Sequence, residues 1–281
     1  MNRRDAGLLL LLGAIWGAIY PLTSVVLREM PPAAIVVART GLSAMVLIPF
    51  AARSGALNAV RARAGAVLIA ALLQVTVPLL LLTIGQQYVG AALAAILVAT
   101  QPVWAAVLST VLTRTIPWRL LAGVILGLTG VALLFLRNVD VGGTSGWGAA
   151  ALVAAAAFIA AGSVWAERAI PEVPPLGTAT AAMTISALVL APAAGIAGVR
   201  LPGLQTIEAL LVLSLVSTAG ALVLFYVLIQ RMGAARANLA GYLDPGFAVA
   251  YSMSLLGERV SPGALVGLVL IITGSYIGAT R

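Results

Sequence analysis

Two dipeptides, Gln101-Pro102 and Asp244-Pro245, each fall inside a long apolar run, one in either half of the chain. A proline within a helix removes one backbone N–H and frees a carbonyl in the preceding turn. In lipid such a break is tolerated where protein or a watered cavity satisfies the freed groups. A carboxylate beside the break is costly in hydrocarbon and therefore marks a site or a buried pairing. Asp244, about eight residues into its apolar run, can hold a substrate ammonium group or a coupling proton. Its structural alternatives are an ion pair with Arg39 or a cap on the proline kink. Gln101, its neutral counterpart, makes the pair asymmetric in charge. Thr100 and Trp104 flank it, and Pro102 and Pro245 either open a binding site or merely shape packing.

Other polar and aromatic side chains fall at helical spacing around these breaks. Trp16 and Tyr20, four residues apart, share one helix face, as walls of a cavity or as interfacial anchors. Ser163 and Trp165 occupy the corresponding end of a later segment. Gln74, Asn238 and Tyr242 offer uncharged hydrogen-bonding groups that line a path or join helices. Arg39, about seven residues inside its segment, either attracts a carboxylate or is structurally paired. The pairs Gly13-xxx-Gly17, Gly123-xxx-Gly127, Gly263-xxx-Gly267 and Gly274-xxx-Gly278 are small-residue seams for close helix packing.

These residues sit in a chain of 281 residues, 62% hydrophobic and 9% charged, with a mean hydropathy of +1.12. Soluble domains carry about 25% charged residues, so the chain reads as an integral membrane protein. It has neither Cys nor His. Thiolate nucleophiles, imidazole bases, Cys/His metal sites and Ser-His-Asp triads are thereby excluded, and no metal is expected. No phosphate-cradling or dinucleotide motif is present, so no cofactor is expected, and transport, if that is the activity, has to run on gradients. The net charge of +8, all from Arg and no Lys, lacks the basic cluster of a nucleic-acid binder.

About 20 apolar residues cross the hydrocarbon layer. Ten segments meet that length: Gly7–Val26, Pro32–Phe50, Ala64–Ile84, Ala91–Leu112, Trp118–Leu136, Gly148–Ala166, Thr178–Ala197, Leu210–Ile229, Ala237–Leu256 and Pro262–Gly278. The expectation is an all-α membrane protein of ten transmembrane helices. The first segment follows Arg3 and Arg4 like a signal peptide, but Tyr20-Pro21-Leu22 is no cleavage site, so it reads as a retained helix. With the N-terminus cytoplasmic, eleven Arg lie inside and four outside, which places both termini in the cytoplasm.

Sliding the chain along itself by one fixed offset superposes Pro31 on Pro174, Pro32 on Pro175, Pro49 on Pro192 and Pro102 on Pro245. Chance would pair about 0.35 prolines in this way. The reading is two five-helix repeats, residues 1–137 and 148–281, joined by a linker at 138–147. An odd number of spans per repeat inverts the second, the plan of secondary transporters with a site at the midplane.

The stretches AIWGAIYPLTSVVL from Ala14, PPAAIVVARTGLSAMVLIP from Pro31, AALAAILVATQPVWAAVLSTVL from Ala91 and GYLDPGFAVAYSMSLLGERVSPGALVGLVLIITG from Gly241 resemble the drug/metabolite transporter superfamily, EamA branch. In type the chain is similar to the YddG-like amino-acid exporters. One departure is Thr113-Arg114-Thr115, where the family often carries Gly-Glu. The resemblance implies a multi-pass inner-membrane exporter of small metabolites, amino acids first among them; the reading is a secondary transporter or facilitator acting by alternating access, with the monomer as one possible form. Two rivals remain: a multidrug exporter of organic cations that stack on aromatics beside Asp244, and a membrane-embedded enzyme. Against the enzyme stand the missing His and Cys and the lack of paired intramembrane acids.

Overall fold

The structure, a computed structural model, describes residues 3–113, 145–196, 202–257 and 262–279, with residues 118, 122, 125, 126 and 129. Among the described residues every regular element is helical. That follows from the apolar runs, because a helix satisfies its backbone within one segment where no water can. Proline and glycine mark the ends. Pro32 and Pro175 open the helices Pro32–Arg53 and Pro175–Ile196 at the first helical position, where a missing N–H costs nothing. Gly55, at φ 71°, supplies the left-handed turn after Pro32–Arg53.

Seven of the ten expected segments are helices long and apolar enough to cross a membrane: Arg3–Val26, Pro32–Arg53, Ala64–Gly85, Ala91–Leu112, Gly146–Ala169, Pro175–Gly195 and Leu204–Met232. The expected count of ten is thus met by seven among the described residues. The ninth segment fails as a continuous helix, because the short helix Ala234–Ala237 passes into a 3-10 turn over Asn238–Tyr242 before Asp244–Leu256 begins. The tenth coincides with the helix Pro262–Ala279. The fifth segment, Trp118–Leu136, and most of the linker 138–147 lie outside the described residues.

Interruptions recur at mid-span depth. The first span breaks at Ala18, between the helices Arg3–Gly17 and Ile19–Val26. The fourth breaks after Val98 and restarts at Gln101. Two segments widen into π-helix, Leu72–Thr76 and Leu215–Gly220. The offset that superposes Pro102 on Pro245 also carries Leu72 onto Leu215, so the two π segments start at equivalent positions of the repeats. It likewise carries Pro32 onto Pro175 and Arg53 onto Ile196, so the helices Pro32–Arg53 and Pro175–Ile196 correspond at both ends.

Among the described residues these two helices form the most extensive packing contact. Each also reaches a π segment from the other half. The Ser43 hydroxyl donates at 2.7 Å to the carbonyl of Ser214, the residue just before Leu215–Gly220, and the hydroxyl of Thr76, at the end of Leu72–Thr76, lies 2.7 Å from that of Ser186. Small residues let other backbones close in. Gly13 and Gly17 lie against Leu243 and Phe247, where a Cβ would stand 2.6 Å away from either Cβ. Gly162 likewise abuts the Gln74 backbone. The first seam therefore packs within the chain. Met45, Phe50 and Leu188 stay more than half exposed, as expected of surfaces that face lipid. Trp147, 82% exposed at the start of its helix, suits an interfacial anchor.

Candidate functional site

The helix interruptions converge on one central cavity of about 70 Å³. Trp16, Ile19 and Tyr20 come from the broken first span, Gln74 and Val75 from one π segment, and Ser217 and Thr218 from the other. Val98 and Gln101 flank the break in the fourth span, and Asp244 starts the helix that follows the 3-10 turn. Arg39 enters from Pro32–Arg53 and Met183 from its repeat partner. Gly241 rests against the Pro102 ring, so the two proline-marked breaks touch. Pro102 and Pro245 are both buried at the second residue of a restarting helix, where their missing N–H leaves no intrahelical bond unmade.

The two charged residues are almost fully buried, Arg39 at 1% exposure and Asp244 at 2%. They are not paired with each other among the described residues, which corrects the expected Arg39–Asp244 ion pair. The reason is competition from nearer groups. The Arg39 Nε–H donates to the Thr218 hydroxyl. The Tyr20 hydroxyl stands 3.5 Å from Asp244 Oδ2, at the long end of hydrogen bonding. Arg39 Nη1, Asp244 Oδ1 and Gln74 Oε1 are left without a hydrogen-bond partner among the described residues. Burying such groups unpaired is expensive, so three orphaned atoms around one cavity mark where a polar ligand or water has to sit.

Behind the wall runs a polar chain. Gln101 Nε2 donates to Asn238 Oδ1, and Asn238 Nδ2 donates to the Ser163 hydroxyl at 2.8 Å and the Ala234 carbonyl at 2.6 Å. Asn238 and Ser163 are fully buried. They thus brace Gln101 and do not line the cavity. Thr100 turns its hydroxyl back to the Leu97 carbonyl at 2.9 Å and caps the break. Trp104 and Tyr242 are half-buried and absent from the cavity wall. Trp165 lies elsewhere: its Nε1–H donates to the Ala66 carbonyl at 3.0 Å, and its ring lines an apolar recess with Leu73, Leu108 and Arg168. Trp16 does reach the cavity, its ring centroid 4.9 Å from that of Phe225.

Thr218 and Ser217 were missed by reasoning from sequence, although the proline offset superposes Ser217 on Gln74 and pointed to that position. Nothing in the sequence marks Thr218. Its role depends on the π segment, in which its hydroxyl donates to the Leu213 carbonyl five residues back at 2.6 Å. Among the described residues no cluster of acids could hold a metal ion. At the Arg-rich end of the bundle, Arg231 pairs with Asp5 at 2.7 Å and Arg63 with Glu172 at 2.5 Å. Each pair joins one half to the other. At the opposite end the Gly203 N–H donates to Glu29 at 2.6 Å.

A profile of the EamA-like transporter family matches the chain over residues 5–136 and again over 146–279. The protein named "Uncharacterized inner membrane transporter YedA" in Escherichia coli strain K12 is 28% identical over 287 residues, covering 96% of this chain and 91% of that one. The proteins of the same name in E. coli O6:H1 and O157:H7 match to the same extent. A crystal structure described as "Crystal structure of protein" shares the fold, with a TM-score of 0.72 at 18% identity over 96% of both chains.

Proposed function

The chain belongs to the EamA-like transporter family, and from that premise we propose that it exports small metabolites, chiefly amino acids, across the bacterial inner membrane. In this reading ten spans form two inverted five-helix halves, residues 1–137 and 148–281, with both termini cytoplasmic. The protein works as a monomer without cofactor, alternating between inward- and outward-open states around the central cavity. The double match of one family profile and the common offset of prolines and π segments support the two halves.

The observation that carries the reading is Asp244 Oδ1, buried and unpartnered on the cavity wall where the second broken helix restarts. A carboxylate held there by protein attracts an ammonium group or a proton, and a broken helix on either side allows each half-helix to tilt. Trp16 and Tyr20 beside it favour a second reading, export of organic cations stacked on the rings. Uptake of a labelled amino-acid panel and of a quaternary ammonium dye into proteoliposomes, with and without a pH gradient, separates the two. Saturable amino-acid uptake supports the first reading. Dye uptake without amino-acid uptake overturns it.

A further inference from the structure

We infer that the central cavity is a charge clamp for a small zwitterion, with Arg39 holding the carboxylate and Asp244 the ammonium group. The inference rests on the transport reading above and adds the pairing, the orientation and the size of the substrate.

Three orphaned atoms belong to residues that line the cavity, and their chemistry is complementary to one kind of ligand. Arg39 Nη1 is a donor on a guanidinium; Asp244 Oδ1, a carboxyl oxygen, and Gln74 Oε1 are acceptors. A carboxylate only accepts and an ammonium only donates. A ligand carrying both satisfies donor and acceptors together. An organic cation leaves the Arg39 group unmet, and an organic anion leaves Asp244 unmet. Either omission keeps a charge buried without a partner.

The charges are also held apart by fixed neighbours. In the π segment Leu215–Gly220 the Thr218 hydroxyl donates to Leu213, which leaves its lone pairs to accept from the Arg39 Nε–H. The guanidinium is thereby fastened at Nε, and Nη1 keeps no partner among the described residues. At Asp244 the Tyr20 hydroxyl stands 3.5 Å from Oδ2, and Oδ1 keeps no partner among the described residues. The two groups therefore keep one free atom each rather than collapsing on one another, and a substrate bridges them.

Size sets a further limit. A cavity of about 70 Å³, several times what one water needs, suits a small zwitterion such as glycine or alanine. Methionine or tryptophan requires the surrounding Ile19, Leu82, Met183 and Leu222 to move outward.

The test uses the purified full chain in proteoliposomes with labelled alanine, alaninamide and propionate, so that each analogue lacks one charge. Each missing charge-assisted contact is expected to weaken half-saturation by about 10- to 100-fold. Arg39→Gln is expected to abolish the difference between alanine and alaninamide while keeping that between alanine and propionate, and Asp244→Asn the reverse. Arg39→Gln lowering alanine and alaninamide uptake alike assigns Arg39 to structure and overturns the clamp. Should that variant not fold, the parent protein decides by itself: alaninamide taken up as readily as alanine overturns the clamp while leaving an amino-acid transporter. Absence of uptake for every amino acid instead overturns the transport reading on which the clamp rests.

Discussion

Gly17→Ala tests whether the site is built by backbone contact between the first and ninth segments. A methyl at Gly17 would stand 2.6 Å from Phe247 Cβ and 2.9 Å from both the Ala248 nitrogen and the Asp244 carbonyl oxygen. Two of these are backbone atoms and cannot rotate away. Carbon atoms in contact prefer about 3.5–4.0 Å, so the helix Asp244–Leu256 has to retreat by about 1 Å, carrying Asp244 with it. Overpacking of this kind costs about 1–3 kcal/mol, against about 0.5–1 kcal/mol regained by replacing a helical glycine. The expected net loss is about 1–2 kcal/mol, a fall of several degrees in melting temperature, with reduced uptake of amine-bearing substrates. Gly41 is the control: it lies within Pro32–Arg53, and a Cβ there meets nothing within 4 Å. Gly41→Ala should leave uptake unchanged and hold or raise the melting temperature. Thermal melts in detergent beside proteoliposome uptake read both effects. If Gly17→Ala behaves like Gly41→Ala, the close packing does not position Asp244 and the argument for the site fails.

Pro102→Ala and Pro245→Ala should each fold, because their nitrogens sit in the first turn of restarting helices, and each should slow transport by stiffening a break; unchanged rates in both would make the prolines packing features. Trp16→Ala should alter the substrate profile, since its ring lines the cavity, whereas Trp165→Ala should not, since its ring faces a separate recess; competition assays with a substrate panel check this, and an identical profile for Trp16→Ala refutes it. A reporter active only in the periplasm, fused after Arg281, should stay silent. Activity there would mean an odd number of spans and would overturn the inverted arrangement.

Seven of the spans were legible in sequence because length and apolarity decide what crosses a bilayer, and Pro32, Pro175 and Gly55 mark helix ends by backbone chemistry that no neighbour has to supply. The constant proline offset was likewise legible, and Asp244, Gln101, Arg39, Trp16 and Tyr20, which stand out as charged, amide or aromatic groups in so uniform a chain, do line one cavity. Only the tertiary structure decided how those groups face. The π segments Leu72–Thr76 and Leu215–Gly220 leave no trace in an unbroken apolar run, because widening the turn changes no residue's polarity. They nonetheless place Gln74 and Thr218 at the cavity, and Thr218 in turn takes the Arg39 contact for which Asp244 was one candidate. Trp16 and Trp165 are both tryptophans within apolar runs, yet one lines the cavity and the other does not. In lipid both faces of a helix are apolar, so hydropathy cannot say which one turns inward. That choice falls to close backbone contacts such as Gly17 on Phe247 and to single hydrogen bonds such as Ser43 to Ser214, which exist only once the helices have packed.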